Sequence, residues 1–116
     1  MSSGAAARRE ALARELARWT AALAEAGALR VLVYGSFARG DHGPESDLDL
    51  LVVVSEDGLA LPQRLARLYA LLVPPGRLHC DLLAYTEREL AALAPVSDLV
   101  ASALREGRTV YDSHDR

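Results

Sequence analysis

The sequence predicts an α/β (α+β) domain in which a small mixed sheet of three to four strands is flanked by helices. Helical and extended patterns alternate along all 116 residues. Hydrophobic residues make up 51% and charged residues 25%, which is a globular composition. A chain of this length suits one ordinary compact domain. We therefore expect residues 1–116 to form a single domain, with an N-terminal helix in 1–27 and the core in 28–116.

The first half of the chain predicts a helix followed by two buried strands. Apolar residues at spacings of four, three and four predict the helix over about residues 5–26, and Gly27 follows as its C-cap. The stripe consists of Leu12, Leu16, Trp19 and Leu23. Residues 29–34 form the first candidate strand. The unbroken apolar run within residues 48–54 predicts a second strand that is buried on both faces.

The second half predicts three helices and two further strands. Pro62 suits the first turn of a helix. Its inner side is predicted to carry Leu65, Leu68, Leu71 and Leu72. Residues 78–84 form the third candidate strand, and Thr86 with Glu89 has capping-box spacing for another helix. A last helix covers residues 96–106, and residues 109–111 suit a fourth strand. The inward-facing residues expected on that helix are Leu99, Ala103 and Leu104.

Charge and residue usage exclude several classes of function. All 13 basic residues are arginine, so no Schiff base, lysyl-nucleotide intermediate or lysine-containing phosphate loop can form. The net charge of −3 argues against general electrostatic binding of nucleic acid, while a local arginine patch stays possible. The one cysteine, Cys80, fits a small buried hydrophobe in a reducing compartment. Without a signal peptide or a membrane-length apolar run, we expect a cytoplasmic protein.

Two carboxylates at the start of the second strand are candidate metal ligands. Asp47 and Asp49 lie two residues apart, so an extended chain points both to one face while Leu48 and Leu50 point to the other. Neighbouring carboxylates repel unless a cation lies between them, and Mg²⁺ prefers one or two carboxylates together with substrate phosphates. Asp81 stands in an apolar run, where an embedded charge is costly unless it is compensated. If the second and third strands are neighbours, Asp81 completes a three-carboxylate site for two metals about 4 Å apart.

The turn after the first strand is a candidate phosphate site. Gly35 lets the backbone approach a ligand closely, and a helix beginning after Ser36 would point free N–H groups at phosphate. The Ser36 hydroxyl can donate to a phosphate oxygen, and Arg39 can add a forked, charge-assisted contact. Ten residues, 37 through 46, separate Ser36 from Asp47, which gives the pattern G-S-x10-D-x-D. Each part alone suits an ordinary turn, strand cap or surface arginine, but their order and spacing predict a nucleoside triphosphate site.

Residues 35–40 (GSFARG) and 46–52 (SDLDLLV) resemble the motif of the minimal nucleotidyltransferase (MNT) family. This family belongs to the DNA polymerase β-like nucleotidyltransferase superfamily, and the resemblance covers nearly the whole chain. It implies the polymerase β-like fold, with residues 28–116 as the catalytic core. It also implies that Asp47 and Asp49 bind two Mg²⁺ ions. Asp81 matches the third carboxylate, which helps to ligate the catalytic metal and deprotonates the attacking hydroxyl.

The same resemblance assigns the turn. Gly35 and Ser36 match the triphosphate-binding turn of the family, with Arg39 assisting. Asp41 stands where many relatives carry Glu, a departure that touches no metal ligand.

The resemblance further implies a substrate and a partner. MNT proteins are typically paired with a small helical HEPN protein, an RNase toxin for which the MNT member is the antitoxin. The activity proposed for the family transfers AMP from ATP to a tyrosine of the HEPN partner and so silences the RNase. We therefore expect a Mg²⁺-dependent protein adenylyltransferase that forms a hetero-oligomer with a HEPN toxin and binds no nucleic acid directly.

Two other functions stay open from the sequence. The chain could be a non-catalytic antitoxin that neutralises the HEPN partner by binding alone. It could also modify a small molecule, as aminoglycoside nucleotidyltransferases do. The second alternative is the less favoured, because those enzymes usually carry an added substrate domain for which 116 residues leave no room.

Overall fold

A four-stranded mixed sheet forms the centre of the computed structural model, which describes residues 4–40, 47–72 and 80–115. The strands are β1 (Arg30–Tyr34), β2 (Leu48–Val54), β3 (Cys80–Thr86) and β4 (Arg108–Asp112). Their spatial order is β3-β2-β1-β4, so β1 and β2 are central and β3 and β4 are edges. Strand β1 runs antiparallel to β2 and β4, whereas β2 and β3 are parallel. The predicted fold class is therefore confirmed.

Helices cover both faces of this sheet. They are α1 (Gly4–Glu25), α2 (Gly35–Arg39), α3 (Leu61–Leu72), α4 (Glu87–Leu93) and α5 (Asp98–Glu106). Helices α1 and α3 pack on one face, while α4 and α5 pack on the other. The single turn of α2 follows β1 directly and contacts β1, β2 and α5. A short 3₁₀ turn, Ser113–Asp115, follows β4. Among the described residues, no helix combines the length and the apolar character that crossing a membrane requires.

The predicted stripe of α1 and the predicted double burial of β2 are both confirmed. Four residues of α1 are buried in the larger core cluster: Leu12, Leu16, Trp19 and Leu23. Strand β2 alternates between the clusters, with Leu50 and Val52 facing α1 and α3 and with Leu51 and Val53 facing α4 and α5. Trp19 is thus a core residue. Both faces of the central strands pack against apolar side chains, so polar functional groups are confined to the strand ends.

Most predicted element boundaries agree with the structure to within two residues. Strand β3 begins at Cys80, and residues 78 and 79 of the predicted strand lie outside the described part of the chain. The capping box is present, since the Thr86 hydroxyl accepts from Glu89 N and the Glu89 carboxylate accepts from Thr86 N. Helix α5 begins two residues later than predicted, because Ser97 caps it by accepting from Val100 N.

Two leucines that were predicted to face the core are exposed. Leu71 of α3 is 50% exposed and Leu99 of α5 is 54% exposed, so these two predictions were wrong. Val100 takes the inward position in α5 and is 2% exposed. The part of α3 that contacts the core is therefore narrower than its leucines suggest. The same helix also buries an arginine, Arg64, which is 4% exposed.

Arg64 is buried because every one of its five N–H groups has an acceptor. Nε and Nη2 donate to the two carboxylate oxygens of Asp57, at 3.0 and 2.9 Å. Nη1 donates to Ala84 O at 3.0 Å and to Glu89 Oε1 at 2.7 Å. Nη2 also donates to Leu59 O at 3.2 Å. This arginine therefore joins the β2–α3 connection to β3 and to the first turn of α4.

Candidate functional site

The predicted acids meet at the point where β2 and β3 begin. Asp49 on β2 and Asp81 on β3 are partners in the parallel register of the two strands. Asp49 has the same strand parity as Leu51, and Asp81 the same as Leu83, so both carboxylates lie on the face that α4 and α5 cover. Asp47 comes directly before β2. Strands β2 and β3 are therefore neighbours, which is the condition on which the predicted grouping of the three acids depended.

The exposure of these acids differs from the prediction at one position. Asp81 is exposed, so the expectation of a charge embedded in an apolar strand was wrong. The reason is that β3 is an edge strand, whereas Asp49 on the central β2 is partly buried. Burial raises the pKa of Asp49 above its ordinary value, and the Asp81 and Asp47 carboxylates raise it further. The site therefore concentrates negative charge that a cation would relieve.

Gly35 lies against Asp49, and any larger residue would be strained there. Helix α2 begins at Gly35 itself, two residues earlier than the predicted start after Ser36. The φ angle of Gly35 is +76°, in the region that L-residues avoid. A Cβ atom at this position would overlap Asp49 Oδ2 and would lie 3.2 Å from Asp49 Cγ. The turn and the acid are therefore in direct contact, with Ser36 in the first turn of α2.

Arg39 at the end of α2 links the acids to α5. Its Nη1 lies 3.4 Å from Glu106 Oε1, and its side chain is half exposed. Its positive charge lowers the pKa of Asp49, against the larger effects of burial and of the other two acids. The structure thus brings Arg39 close enough to act on the carboxylates electrostatically.

Tyr34 also lies at the site, although no sequence motif indicated a role for it. It is paired with Asp49 in the antiparallel register of β1 and β2, and it packs with the α4 and α5 face. Burial raises the pKa of its hydroxyl, and the charges of Asp49 and Asp81 raise it further. The phenol therefore stays protonated. Its position next to Gly35, at even spacing from the buried Leu32, is the signal that could have placed it on this face.

Helix α1 brings two arginines to the site that no sequence pattern indicated. Arg8 Nη2 lies 3.6 Å from Asp47 Oδ1, and the Arg8 side chain is 20% exposed. The Arg9 guanidinium lies over the Phe37 ring of α2, 5.1 Å from its centroid, which is a cation–π distance. These contacts join residues far apart in the chain, so periodicity gives no indication of them.

The donor set of the site suits a hard divalent cation. Among the described residues, no three carboxylate, imidazole or thiol side chains converge on one point. What the site offers is carboxylate oxygen from Asp49 and Asp81 in register, with Asp47 close enough to affect Asp49 electrostatically. Burial, with help from Asp81, raises the pKa of the nearby Cys80 thiol to about 12, so it stays an uncharged, poor ligand. This chemistry fits Mg²⁺ with substrate oxygens completing its shell.

Comparison with known proteins places residues 19–106 in a family described as "Nucleotidyltransferase domain". One relative, named "Putative protein adenylyltransferase MJ0141", comes from Methanocaldococcus jannaschii. It is 56% identical over 27 residues, which are 23% of this chain and 27% of the relative. The chain thus matches about a quarter of that relative's length. The crystal structure of a "putative nucleotidyltransferase" from Sulfolobus solfataricus superimposes with a TM-score of 0.71 at 16% identity. That superposition covers 98% of this chain and 92% of the other, and it shows a shared fold.

Proposed function

This chain belongs to the nucleotidyltransferase domain family, and from that premise we propose that it transfers AMP from ATP to a hydroxyl group of a partner protein. The observation that carries the proposal is the contact between the Gly35 turn and Asp49, with Asp81 in register beside Asp49. A tight turn for phosphates that touches paired carboxylates for metal is what nucleotidyl transfer needs. In this proposal the turn and the carboxylates act on the same triphosphate.

The acids divide the chemistry between them. Asp81, the most accessible of the three, accepts the proton of the acceptor hydroxyl. The hydroxyl oxygen then bonds to the α-phosphorus, and the bond from that phosphorus to the bridging oxygen breaks in line, so pyrophosphate leaves. Asp47 and Asp49 would hold two Mg²⁺ ions, which would neutralise charge on the reacting phosphates and lower the pKa of the attacking hydroxyl.

The turn and the arginine bind the rest of the triphosphate. The Ser36 hydroxyl donates to a phosphate oxygen, and Gly35 allows the phosphate to approach the backbone. Arg39 is half exposed at the edge of the site, so it can exchange its contact with Glu106 for a forked contact with phosphate. Direct transfer also agrees with the absence of lysine, because a lysyl-AMP intermediate cannot form.

The acceptor we propose is a tyrosine of a HEPN RNase toxin, in a hetero-oligomer in which this chain is the antitoxin. The resemblance to the MNT family supplies that partner, and a cytoplasmic location follows from it. The name of the Methanocaldococcus relative supports a protein acceptor, through a match of 27 residues. The open position of Asp81 on an edge strand also suits an acceptor that a second chain delivers.

Mass measurement of the partner tests this proposal. The chain or its variant is co-expressed with a HEPN-type protein encoded beside it, and the intact mass and RNase activity of the purified partner are compared with those of partner made without the chain. We expect the partner to gain the mass of one or more AMP groups and to lose RNase activity. The Asp47→Asn, Asp49→Asn double variant should transfer no AMP while it keeps its fold by circular dichroism. Glu25→Gln, which removes an exposed charge from α1, is the matched control.

The outcomes separate the candidate functions. A modified and inhibited partner supports the proposal. A partner that is inhibited but unmodified would instead favour neutralisation by binding alone. Transfer by the double variant at the wild-type rate would show that Asp47 and Asp49 are not the metal ligands.

A further inference from the structure

The contact between Arg8 and Asp47 extends the site onto α1. Arg8 and Arg9 lie more than twenty residues before the Gly35 turn in sequence, yet α1 brings Arg8 to Asp47 and Arg9 to Phe37 of α2. Arg9 lies over the ring of Phe37, the residue that follows Ser36. The first half of α1 is therefore anchored against α2 at the proposed phosphate turn.

Arg8 pairs with a carboxylate that the proposed function assigns to a metal ion. The guanidinium lies 3.6 Å from the Asp47 carboxylate, with the two side chains 20% and 36% exposed. The negative charge of Asp47 raises the pKa of Asp49, so the two acids share one electrostatic environment. A divalent cation on these acids repels a guanidinium at the same carboxylate. Asp47 therefore cannot hold both partners at full strength.

We propose that Arg8 is a nucleotide-binding residue that exchanges its contact with Asp47 for the β- and γ-phosphates of ATP when metal and nucleotide bind. The inference rests on the proposed function and deepens it. Phosphate is the anion that arrives with the cation, and it arrives at α2, against which α1 is anchored through Arg9. Arginine forms strong forked contacts with phosphate oxygens, so the exchange keeps its charge satisfied in both states.

The proposal predicts that one substitution changes two affinities in opposite directions. In Arg8→Gln, no guanidinium competes with a metal ion for Asp47. Mn²⁺ alone, measured by electron paramagnetic resonance, should therefore bind two- to fivefold more tightly, which is the effect expected from losing a partly exposed ion pair. The same variant should bind ATP with Mg²⁺ about tenfold more weakly, because one charge-assisted contact is lost. AMP, which lacks the β- and γ-phosphates, should bind unchanged.

Three controls make the result specific. Arg14→Gln removes the same charge from an exposed position of α1 and should change none of the three affinities. Arg8→Lys keeps a positive charge and should recover part of the ATP affinity. Urea unfolding of each variant shows whether α1 stays folded, so that a loss of binding is not a loss of structure.

Each outcome decides a separate question. Opposite shifts for Mn²⁺ and ATP, with AMP unchanged, support the proposal. Weaker binding of both Mn²⁺ and ATP would reduce Arg8 to a structural partner of Asp47 and overturn it. Unchanged ATP affinity would overturn it too, while the proposed function would stand if the wild-type chain transfers AMP. If the wild-type chain binds no ATP in the presence of Mg²⁺, the proposed function itself fails.

Discussion

Replacing Gly35 by alanine tests the contact on which the candidate site depends. Two costs follow from the structure. The backbone at φ +76° lies in the left-handed region, which costs an L-residue about 1–2 kcal/mol. The new Cβ also overlaps the carboxylate of Asp49, which must turn away at a further cost of about 0.5–1.5 kcal/mol. We expect Gly35→Ala to lower the free energy of unfolding by about 2–3 kcal/mol.

The larger effect of this substitution is expected on catalysis. Displacing the Asp49 carboxylate by about 1 Å moves a proposed metal ligand, and misplacement of this size reduces rates by about 100-fold. AMP transfer to the proposed HEPN partner, measured with labelled ATP, should fall by about that factor at saturating Mg²⁺. Urea unfolding gives the stability change on the same protein.

Gly58→Ala is the matched control for the backbone cost. Gly58 has a φ angle of +69°, and a Cβ built there meets nothing within 4 Å. This variant should lose about 1–2 kcal/mol of stability and keep its full transfer rate. If Gly35→Ala, folded at the assay temperature, transfers AMP as fast as Gly58→Ala, then the closeness of Gly35 to Asp49 has no catalytic importance and the reasoning is refuted.

Three further predictions concern the Arg64 network. Arg64→Met should lower the free energy of unfolding, measured in urea, by about 3 kcal/mol. The reason is that the carbonyl oxygen of Ala84 loses its buried donor, whereas the carboxylates of Asp57 and Glu89 can still reach water. A loss below about 1 kcal/mol would contradict this prediction. Thr86→Ala removes the hydroxyl of the capping box and should cost about 1 kcal/mol in the same assay, with no change in the slope against urea. Hydrogen bonds from Arg64 lower the pKa of Asp57 to about 2 and also lower the pKa of Glu89. The stabilisation by these two carboxylates is therefore complete above their unfolded pKa values and is lost as the pH falls from about 4 towards 2. The difference in free energy of unfolding between wild type and Arg64→Met should narrow over that range, and a constant difference would exclude this linkage.

The sequence predicted the fold well where one physical pattern dominated. The apolar stripe of α1 predicts only a helix packed on the core, and the unbroken apolar run of β2 predicts only a strand buried on both faces. In both segments the burial of many apolar side chains outweighs local conformational preferences. Leu71 and Leu99 were misplaced because helical spacing identifies a broad apolar side without saying which part of it meets a neighbour. The burial of Arg64 was not predictable, since its acceptors come from three other segments of the chain.

The sequence predicted those parts of the candidate site that depend on spacing along the chain. Asp49 and Asp81 could be placed on candidate strands, but their pairing depends on a sheet order and a register that no local pattern encodes. The exposure of Asp81 depends on β3 being an edge, which is again a property of the whole sheet. Arg8 reaches Asp47 only because α1 packs across the sheet, and that contact joins residues 39 positions apart, from 8 to 47.

The parallel register of β2 and β3 determines which changes of chain length the molecule can tolerate. A one-residue shift within β2 would turn Asp49 to the opposite face, and a shift within β3 would turn Asp81 there. Either change would separate the two carboxylates. Insertions and deletions should therefore be rare inside both strands in homologues.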